Sequence, residues 1–256
     1  MMGAEMRPSY FERNVMDIIC EIGLNHGGDL NKALDMIRVA NECGATIAKF
    51  QYYLTDVLCV DRGCFDAYKL LDKIRLRPQW IPILAEECKR QGLEFLCTSF
   101  CRYSAEEIEP HVSRFKIASP EVQNLSFLKQ VASYGKPLIL STGHVSDKQL
   151  DEIFDTITVP ITLLYCKSLY PAVPGDYELK EIDRLRKRYG CKVGLSCHCK
   201  GFKTALDAVE KHGADIIEKH FMLKNDNKCV DFVVSLEPDE FLKMTKIIRG
   251  KYGKRC

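Results

Sequence analysis

Two periods of apolar and polar residues alternate along the chain. Stretches with apolar residues at helical spacing end in glycine, and a β-rich run begins one to three residues later, as in VANECG followed by ATIAKFQYY. The first of these predicted helices has Asp29 as its N-cap and an apolar face formed by Leu30, Ala33, Leu34, Ile37 and Ala40. Five glycines stand where a helix C-terminus favours a left-handed residue: Gly44, Gly92, Gly135, Gly190 and Gly213.

Three further β-rich runs, VMDIICEIGLN, SRFKIAS and PITLLYCKS, lack the glycine but have the same composition. Strands that alternate with helical segments imply parallel pairing, because each crossover needs a helix to return the chain. Eight such units in about 240 residues predict an α/β fold, the (β/α)8 TIM barrel, with the barrel spanning about residues 15–245. A doubly wound open sheet is the alternative, but it usually has fewer strands and often a GxGxxG turn, which the sequence lacks.

Length and charge exclude several classes of protein. With 256 residues, 46% of them hydrophobic, the chain can build one sizeable core, and we expect a single domain over residues 1–256. The 37 basic and 35 acidic residues are well mixed and give a net charge of +2, so we expect no nucleic-acid or membrane partner. The stretch MMGAEMRPSYFERNVMDII has no apolar run of signal-peptide length, which predicts a cytoplasmic protein.

The chain has 13 cysteines, but no CxxC pair occurs among them. Size argues against a disulfide scaffold and spacing against a zinc knuckle, so reduced cysteines that serve as small core residues are expected. In GLSCHCKGF, Cys197 and Cys199 flank His198. If His198 faces the barrel mouth, alternation on the strand points both cysteines away from it.

The C-terminal ends of the strands carry the candidates for chemistry, because barrel active sites lie on that face. Two long connections, residues 54–78 and 169–180, are expected on the same face. Residues two apart on a strand point the same way, so several sets can face the barrel mouth together: Glu21 with Gly23 and Asn25, Lys49 with Gln51, Ser196 with His198, and Glu218 with His220. Further candidates end other strands, namely Thr98, Lys116, Ser119, Ser141 and Lys167. So many buried charges indicate a charged ligand.

His198 and His220 end neighbouring strands and predict a metal site. Two imidazoles, with carboxylate or water completing the coordination, suit a divalent ion such as Mn²⁺, and zinc is a second possibility. Two ordinary hydrogen-bonded histidines are the alternative interpretation.

The lysines Lys49, Lys116 and Lys167 indicate an anion. Together with the hydroxyls of Ser119, Ser141 and Ser196 they could surround a small phosphorylated or carboxylated ligand. A divalent metal beside an anion pocket suggests carbonyl chemistry, in which the metal polarises an aldehyde while cations hold an enol phosphate.

Seven collinear motifs resemble the sialic acid synthase family, which comprises N-acetylneuraminate synthase and the related legionaminate and pseudaminate synthases. They are EIGLNHGGDLNKAL, AKFQYY, EFLCTSF, FKIASPE, LILSTG, GLSCHCKGF and EKHFMLKN with VDFVVSLEPDEF, and they span about residues 17–245. The resemblance implies an enzyme that condenses phosphoenolpyruvate with an aldose or N-acetylated amino sugar aldehyde such as N-acetylmannosamine. It also implies a Mn²⁺- or Mg²⁺-dependent barrel and the release of phosphate.

The resemblance also implies a role for each matching residue. His198 and His220 would hold the metal, and Glu21 would stabilise the oxocarbenium-like centre or handle a proton. Glu121 matches the acid of the strand-four motif. Phosphoenolpyruvate would be held by Lys49, Lys116, Ser119, Ser141 and Ser196, and the sugar by Gln51, Tyr170 and Asp231.

The sequence departs from the family at several positions. Cys197 stands for an aspartate, Tyr165 for a histidine, Leu169 for an asparagine and Phe232 for a histidine. We expect no counterpart of the C-terminal antifreeze-like domain, which in the family reaches across a dimer. A homodimer is among the expected states.

These departures leave three hypotheses. The first retains phosphoenolpyruvate and metal but changes the acceptor. The second is a non-catalytic or partner-dependent barrel that binds a ligand. The third is a metal-dependent aldolase, isomerase or lyase that acts on a different substrate.

Overall fold

A computed structural model describes residues 16–252 of the chain. Eight parallel strands close into a barrel in sequence order, which confirms the predicted TIM barrel. The strands are β1 (Asp17–Gly23), β2 (Ile47–Tyr52), β3 (Glu94–Ser99), β4 (Phe115–Ile117), β5 (Leu138–Ser141), β6 (Ile161–Cys166), β7 (Lys192–Cys197) and β8 (Ile216–His220).

Eleven α-helices of the described part surround this barrel or cap its connections. They are α1 (Leu30–Glu42), α2 (Thr55–Arg62), α3 (Tyr68–Ile74), α4 (Ile81–Arg90), α5 (Arg102–Ile108), α6 (Ser119–Val122), α7 (Leu125–Ser133), α8 (Asp147–Thr156), α9 (Lys180–Tyr189), α10 (Lys203–His212) and α11 (Pro238–Tyr252). Asp29 caps α1 as predicted, because its side chain accepts a hydrogen bond from the Lys32 N–H at 3.1 Å. The five glycines predicted to end helices all have positive φ. The long connection after β2 contains α2 and α3.

The barrel interior below the strand ends is filled by apolar side chains. The cluster consists of Ile19, Ile47, Leu96, Ile139, Leu164 and Ile216, all of them buried. On each of these strands the residue two positions later is polar and faces the same way. Alternation along the strands therefore builds a polar layer directly above an apolar floor.

The cysteines behave as small core residues. All twelve cysteines within residues 16–252 are free thiols, and most of them are buried. Cys197 and Cys199 are both buried outside the barrel lumen, as strand alternation predicted.

Within the same range, no helix has the length and apolar character needed to cross a bilayer. The predicted absence of a leader segment concerns residues that lie mostly outside the described range. The assignment of residues 1–256 to one domain stays a prediction.

Gly194 lies in β7 at the level of the apolar floor, and we expect its replacement by alanine to be destabilising. A Cβ atom there would lie 2.1 Å from the carbonyl oxygen of Ile216 on β8, so the two strands would have to separate. Gly194→Ala should lower the free energy of unfolding by at least ~2 kcal/mol, measured by urea denaturation.

Gly250→Ala in α11 is the matched control. A Cβ atom there has no heavy atom within 4 Å. Since alanine favours a helix over glycine, this variant should gain up to ~1 kcal/mol. Equal stability of the two variants would contradict the close approach of β7 to β8.

Candidate functional site

A cavity of about 420 Å³ opens at the C-terminal ends of the strands. Its inner ring receives one side chain from each strand in barrel order: Glu21, Lys49, Thr98, Lys116, Ser141, Cys166, Ser196 and Glu218. These side chains are all nearly inaccessible to solvent. The polar layer predicted from strand alternation is therefore a closed ring of buried groups.

A second ring lies two residues further along the chain, closer to solvent. Its members that line the cavity are Gln51, Phe100, Ala118, Ser168, His198 and His220. Gly143 belongs to this level because a Cβ atom there would lie 2.6 Å from Ser168 Oγ and 3.0 Å from Ser119 Oγ. Because Gly143 has no side chain, its backbone and the hydroxyls of Ser168 and Ser119 can lie close together.

Lys49 is held between two carboxylates at the centre of the inner ring. Its Nζ lies 2.8 Å from Glu21 Oε2 and 3.5 Å from Glu218 Oε2. Burial alone would lower the pKa of Lys49, but the two carboxylates outweigh it and raise that pKa. Gln51 Nε2 donates to Glu21 Oε1 at 2.7 Å and fixes the orientation of the carboxylate. These four residues form one buried polar network.

Lys116 has a different environment. Its Nζ donates to Ser141 Oγ at 2.7 Å, and no residue of the described range makes an ion pair with it. Burial lowers the pKa of Lys116; the negative charge of Glu218 opposes this shift and the positive charge of Lys49 adds to it, and the pKa remains lowered. Beside it, the Gly143 N–H donates to Ser119 Oγ at 3.0 Å. An ammonium group with no carboxylate within ion-pair distance, beside two hydroxyls, is an anion-binding arrangement.

The two histidines come together as predicted. The ring centroids of His198 and His220 are 5.5 Å apart. His198 Nδ1 donates to the Lys167 carbonyl at 2.7 Å, so its Nε2 is an acceptor, and the Tyr170 hydroxyl lies 2.9 Å from that atom. Burial lowers the pKa of His198 to about 3, which leaves it neutral at neutral pH. The His198 ring therefore carries a lone pair on Nε2.

His220 has a carboxylate partner. Its Nδ1 lies 3.2 Å from Asp231 Oδ2. Burial opposes protonation of His220, but Asp231 outweighs it and raises the pKa of His220.

The donor set fits a divalent ion held by two protein ligands. Within residues 16–252 no cluster of three or more His, Cys, Asp or Glu side chains is arranged for a metal. Neutral His198 has the tautomer that ligating imidazoles adopt when a carbonyl accepts the other N–H. Any further ligands would have to come from water or substrate, as in sites that keep open positions.

Twelve of the fourteen predicted site residues line the cavity, and two do not. The Lys167 ammonium lies 5.8 Å from the centre of the Tyr165 ring, outside the barrel lumen. Glu121 forms an ion pair with Arg62 at the rim. Alternation explains why Lys167 points away from the cavity, because Cys166 at the end of β6 and Ser168 two residues later are the ones that face it.

The predicted inward set of β1 also needs a correction. The strand ends at Gly23 and the chain turns there, with the Asn25 N–H donating to the Ile22 carbonyl at 2.9 Å, so strand alternation does not extend to Asn25. Asn25 Nδ2 instead donates to the Phe221 carbonyl at 2.8 Å and to Ser235 Oγ at 2.9 Å. Asn25 therefore links the end of β1 to the segment after β8 through hydrogen bonds.

Several cavity residues received no role in the predicted site. They are Leu24, Arg62, Phe100, Ala118, Pro120, His144, Cys166, Ser168 and Glu218. Glu218 was recognised at a strand end but received no role. Cys166 and Ser168 could have been found by counting from Leu164, whereas Arg62 and His144 lie on connections that carry no periodic signal.

Lys219 is fully buried and points away from the cavity, toward the helical layer. Its Nζ donates to the carbonyl of Cys197 at 3.2 Å and also to the carbonyl of Cys199. These carbonyls stand on either side of His198. Lys219 therefore fastens the end of β7 to β8, next to both histidines.

We expect Lys219→Met to lower the free energy of unfolding by about 2–4 kcal/mol, because two buried carbonyls lose their donor. Lys203→Met is the control, since that side chain is 82% exposed and pairs only with Asp207 on the surface. Urea denaturation of both variants measures the difference. Similar stability of the two would contradict the fastening role of Lys219.

Comparison with known proteins supplies relatives over most of the chain. Residues 36–252 match the NeuB family. The pseudaminic acid synthase of Campylobacter jejuni is 34% identical over 91% of this chain and 72% of its own. The human N-acetylneuraminate-9-phosphate synthase is 30% identical over 91% of this chain and 69% of its own.

Among solved structures, the fold is similar to the N-acetylneuraminic acid (sialic acid) synthetase of Leptospira borgpetersenii in complex with citrate. The TM-score is 0.87 at 33% identity, over 95% of this chain and 87% of that one.

Proposed function

Since the chain belongs to the NeuB family, we propose that it condenses phosphoenolpyruvate with an aldose to give a 2-keto-3-deoxy sugar acid and phosphate. The resemblance and the synthase type of enzyme predicted from the motifs are confirmed by the family match and by the relatives' names. A small-molecule substrate is part of that assignment. The identity of both substrates and the use of a metal belong to the proposal.

The environment of Lys116 carries the proposal. It is a buried ammonium without an ion-pair partner in the described range, beside the Ser141 and Ser119 hydroxyls and the Gly143 backbone. A phosphate dianion would relieve the desolvation of the ammonium and would accept hydrogen bonds from the hydroxyls. We therefore place the phosphate of phosphoenolpyruvate on this side of the cavity.

The methylene carbon of phosphoenolpyruvate forms a bond to the aldehyde carbon of the acceptor, and the aldehyde oxygen takes up a proton to become a hydroxyl. Water then adds to the second carbon of the former phosphoenolpyruvate and gives up one proton. The bond from that carbon to the phosphate oxygen breaks, the hydroxyl on that carbon loses its proton as it becomes the keto group, and inorganic phosphate leaves. Glu21 and Glu218, which both lie beside Lys49 in the inner ring, would provide negative charge near this carbon and would stabilise its developing positive charge. Lys49 fixes both carboxylates through its two ion pairs.

His198 and His220 would hold a divalent ion, with Mn²⁺ or Mg²⁺ preferred. Such an ion acts as a Lewis acid that polarises a carbonyl group. Gln51, Tyr170 and Asp231 line the cavity near these histidines and would contact the acceptor sugar. Tyr170 covers one face of His198, since their ring centroids are 4.0 Å apart.

Release of inorganic phosphate from phosphoenolpyruvate, measured over a panel of aldoses with Mn²⁺, tests the function. Lys116→Met should weaken phosphoenolpyruvate binding at least ~30-fold, because a buried charged contact is lost. Lys167→Met, whose ammonium lies outside the cavity, should bind as the unchanged protein does.

Three results distinguish the hypotheses. Binding of phosphoenolpyruvate without turnover favours a non-catalytic barrel. Conversion of a carbonyl substrate without consumption of phosphoenolpyruvate favours an aldolase, isomerase or lyase. Absence of both binding and release would refute the proposal.

The metal site has a test that does not depend on activity. We expect His198→Asn and His220→Asn each to weaken Mn²⁺ binding at least ~10-fold, measured by electron paramagnetic resonance of free Mn²⁺. His144→Asn, at the cavity rim, is the control and should bind Mn²⁺ normally. Equal affinity in all three variants would exclude the histidine pair as the metal site.

A further inference from the structure

We propose that the ion pair between Arg62 and Glu121 makes the site selective for an uncharged acceptor aldose over a phosphorylated one. This inference rests on the proposed function and concerns the chemical class of its second substrate. Two observations carry it: the distribution of cations in the cavity, and the position of the pair at the rim.

Lysine and arginine side chains line the cavity at three positions within the described range. Lys49 is engaged with Glu21 and Glu218, and Arg62 with Glu121. Lys116 alone has no ion-pair partner there, and the enol phosphate would take it. A second phosphate in this cavity therefore meets no unengaged lysine or arginine.

Arg62 could serve an acceptor phosphate only by sharing its positive charge with Glu121, which would bring the phosphate close to a carboxylate, or by leaving Glu121. Arg62 is at the end of α2, with its guanidinium carbon 5.5 Å from the centre of the Phe100 ring. The Glu121 side chain is only 11% exposed, and its Oε2 is buried without a hydrogen-bond partner. Burial raises the pKa of Glu121, and Arg62 is the chief group that opposes this shift. Loss of Arg62 would thus leave a poorly solvated carboxylate, which is unfavourable.

The same arrangement admits an uncharged sugar. Hydroxyl and amide groups can form hydrogen bonds with the cavity's polar side chains without separating the pair. Glu121 would then act on specificity through Arg62, which agrees with its position outside the cavity lining. Relatives of both kinds exist by name, since the human protein is a synthase of a 9-phosphate and the Campylobacter jejuni protein is not so named.

The test compares N-acetylmannosamine with its 6-phosphate as acceptors, in the presence of phosphoenolpyruvate and Mn²⁺. The unchanged protein should have a kcat/KM at least ~10-fold higher for the unphosphorylated sugar. Glu121→Gln keeps the size of the side chain but frees Arg62. The ratio of kcat/KM for the phosphorylated to the unphosphorylated sugar should then rise at least ~10-fold. In the double variant that adds Arg62→Gln, this rise should disappear.

Asp151→Asn is the control, because it breaks an arginine–carboxylate pair with Arg188 far from the cavity. It should leave the ratio of the two acceptors unchanged. Calorimetry of the 6-phosphate with Glu121→Gln and with the unchanged protein gives a second readout, in which the variant should bind more tightly.

Equal or better use of the 6-phosphate by the unchanged protein would overturn the inference. So would an unaltered acceptor ratio, or unaltered affinity for the 6-phosphate, in folded Glu121→Gln. Failure of both sugars and of every other aldose to consume phosphoenolpyruvate would instead refute the proposed function, and the calorimetric comparison would still decide the inference.

Discussion

Closure of eight parallel strands into one barrel is the constraint on which the site depends. Side chains alternate between the two faces of each strand, so a strand that gives an apolar residue to the interior presents the residue two positions later to the cavity. Ile216 and Glu218 on β8 illustrate this relation. The polar ring thus lies on an apolar floor that shields it from water below, and charges within the ring interact more strongly than they would in solvent.

Because the ring is shielded from water, its charged groups lie beside groups of opposite charge. A lone buried carboxylate would shift its pKa and lose its charge, whereas Glu21 and Glu218 share one ammonium group. Nearby, Asp231 lies beside His220 and raises its pKa. Lys116 remains outside these pairings, and burial lowers its pKa. The strand register of the barrel holds the Lys116 ammonium in this buried position, where it is poorly solvated. A bound anion would offset the lost solvation.

The sequence predicted most of this architecture because register is a local property. Apolar runs and glycine-ended helices gave the eight strands, and counting by twos placed Lys49, Ser196 and His220 correctly. The same count failed at Asn25, because β1 ends at Gly23 and the chain then turns, and the exact end of a strand is not evident from residue identity. Lys167 was chosen for its charge although its strand phase points outward. Arg62 was missed because α2 is placed by tertiary packing alone.

The four residues that depart from the family pattern fall into two groups: two lie on strands and point away from the cavity, and two lie on connections. Tyr165 and Cys197 have the outward phase, so they pack behind the ring and leave its chemistry intact. Tyr165 packs at right angles to Tyr177, and beside Cys197 the ammonium of Lys219 donates to backbone carbonyls. Leu169 and Phe232 lie on connections and are partly exposed. Under the proposed function, the ring fixed by strand register would set the reaction chemistry, and the connections, whose side chains can change without disturbing the barrel, would set the choice of acceptor.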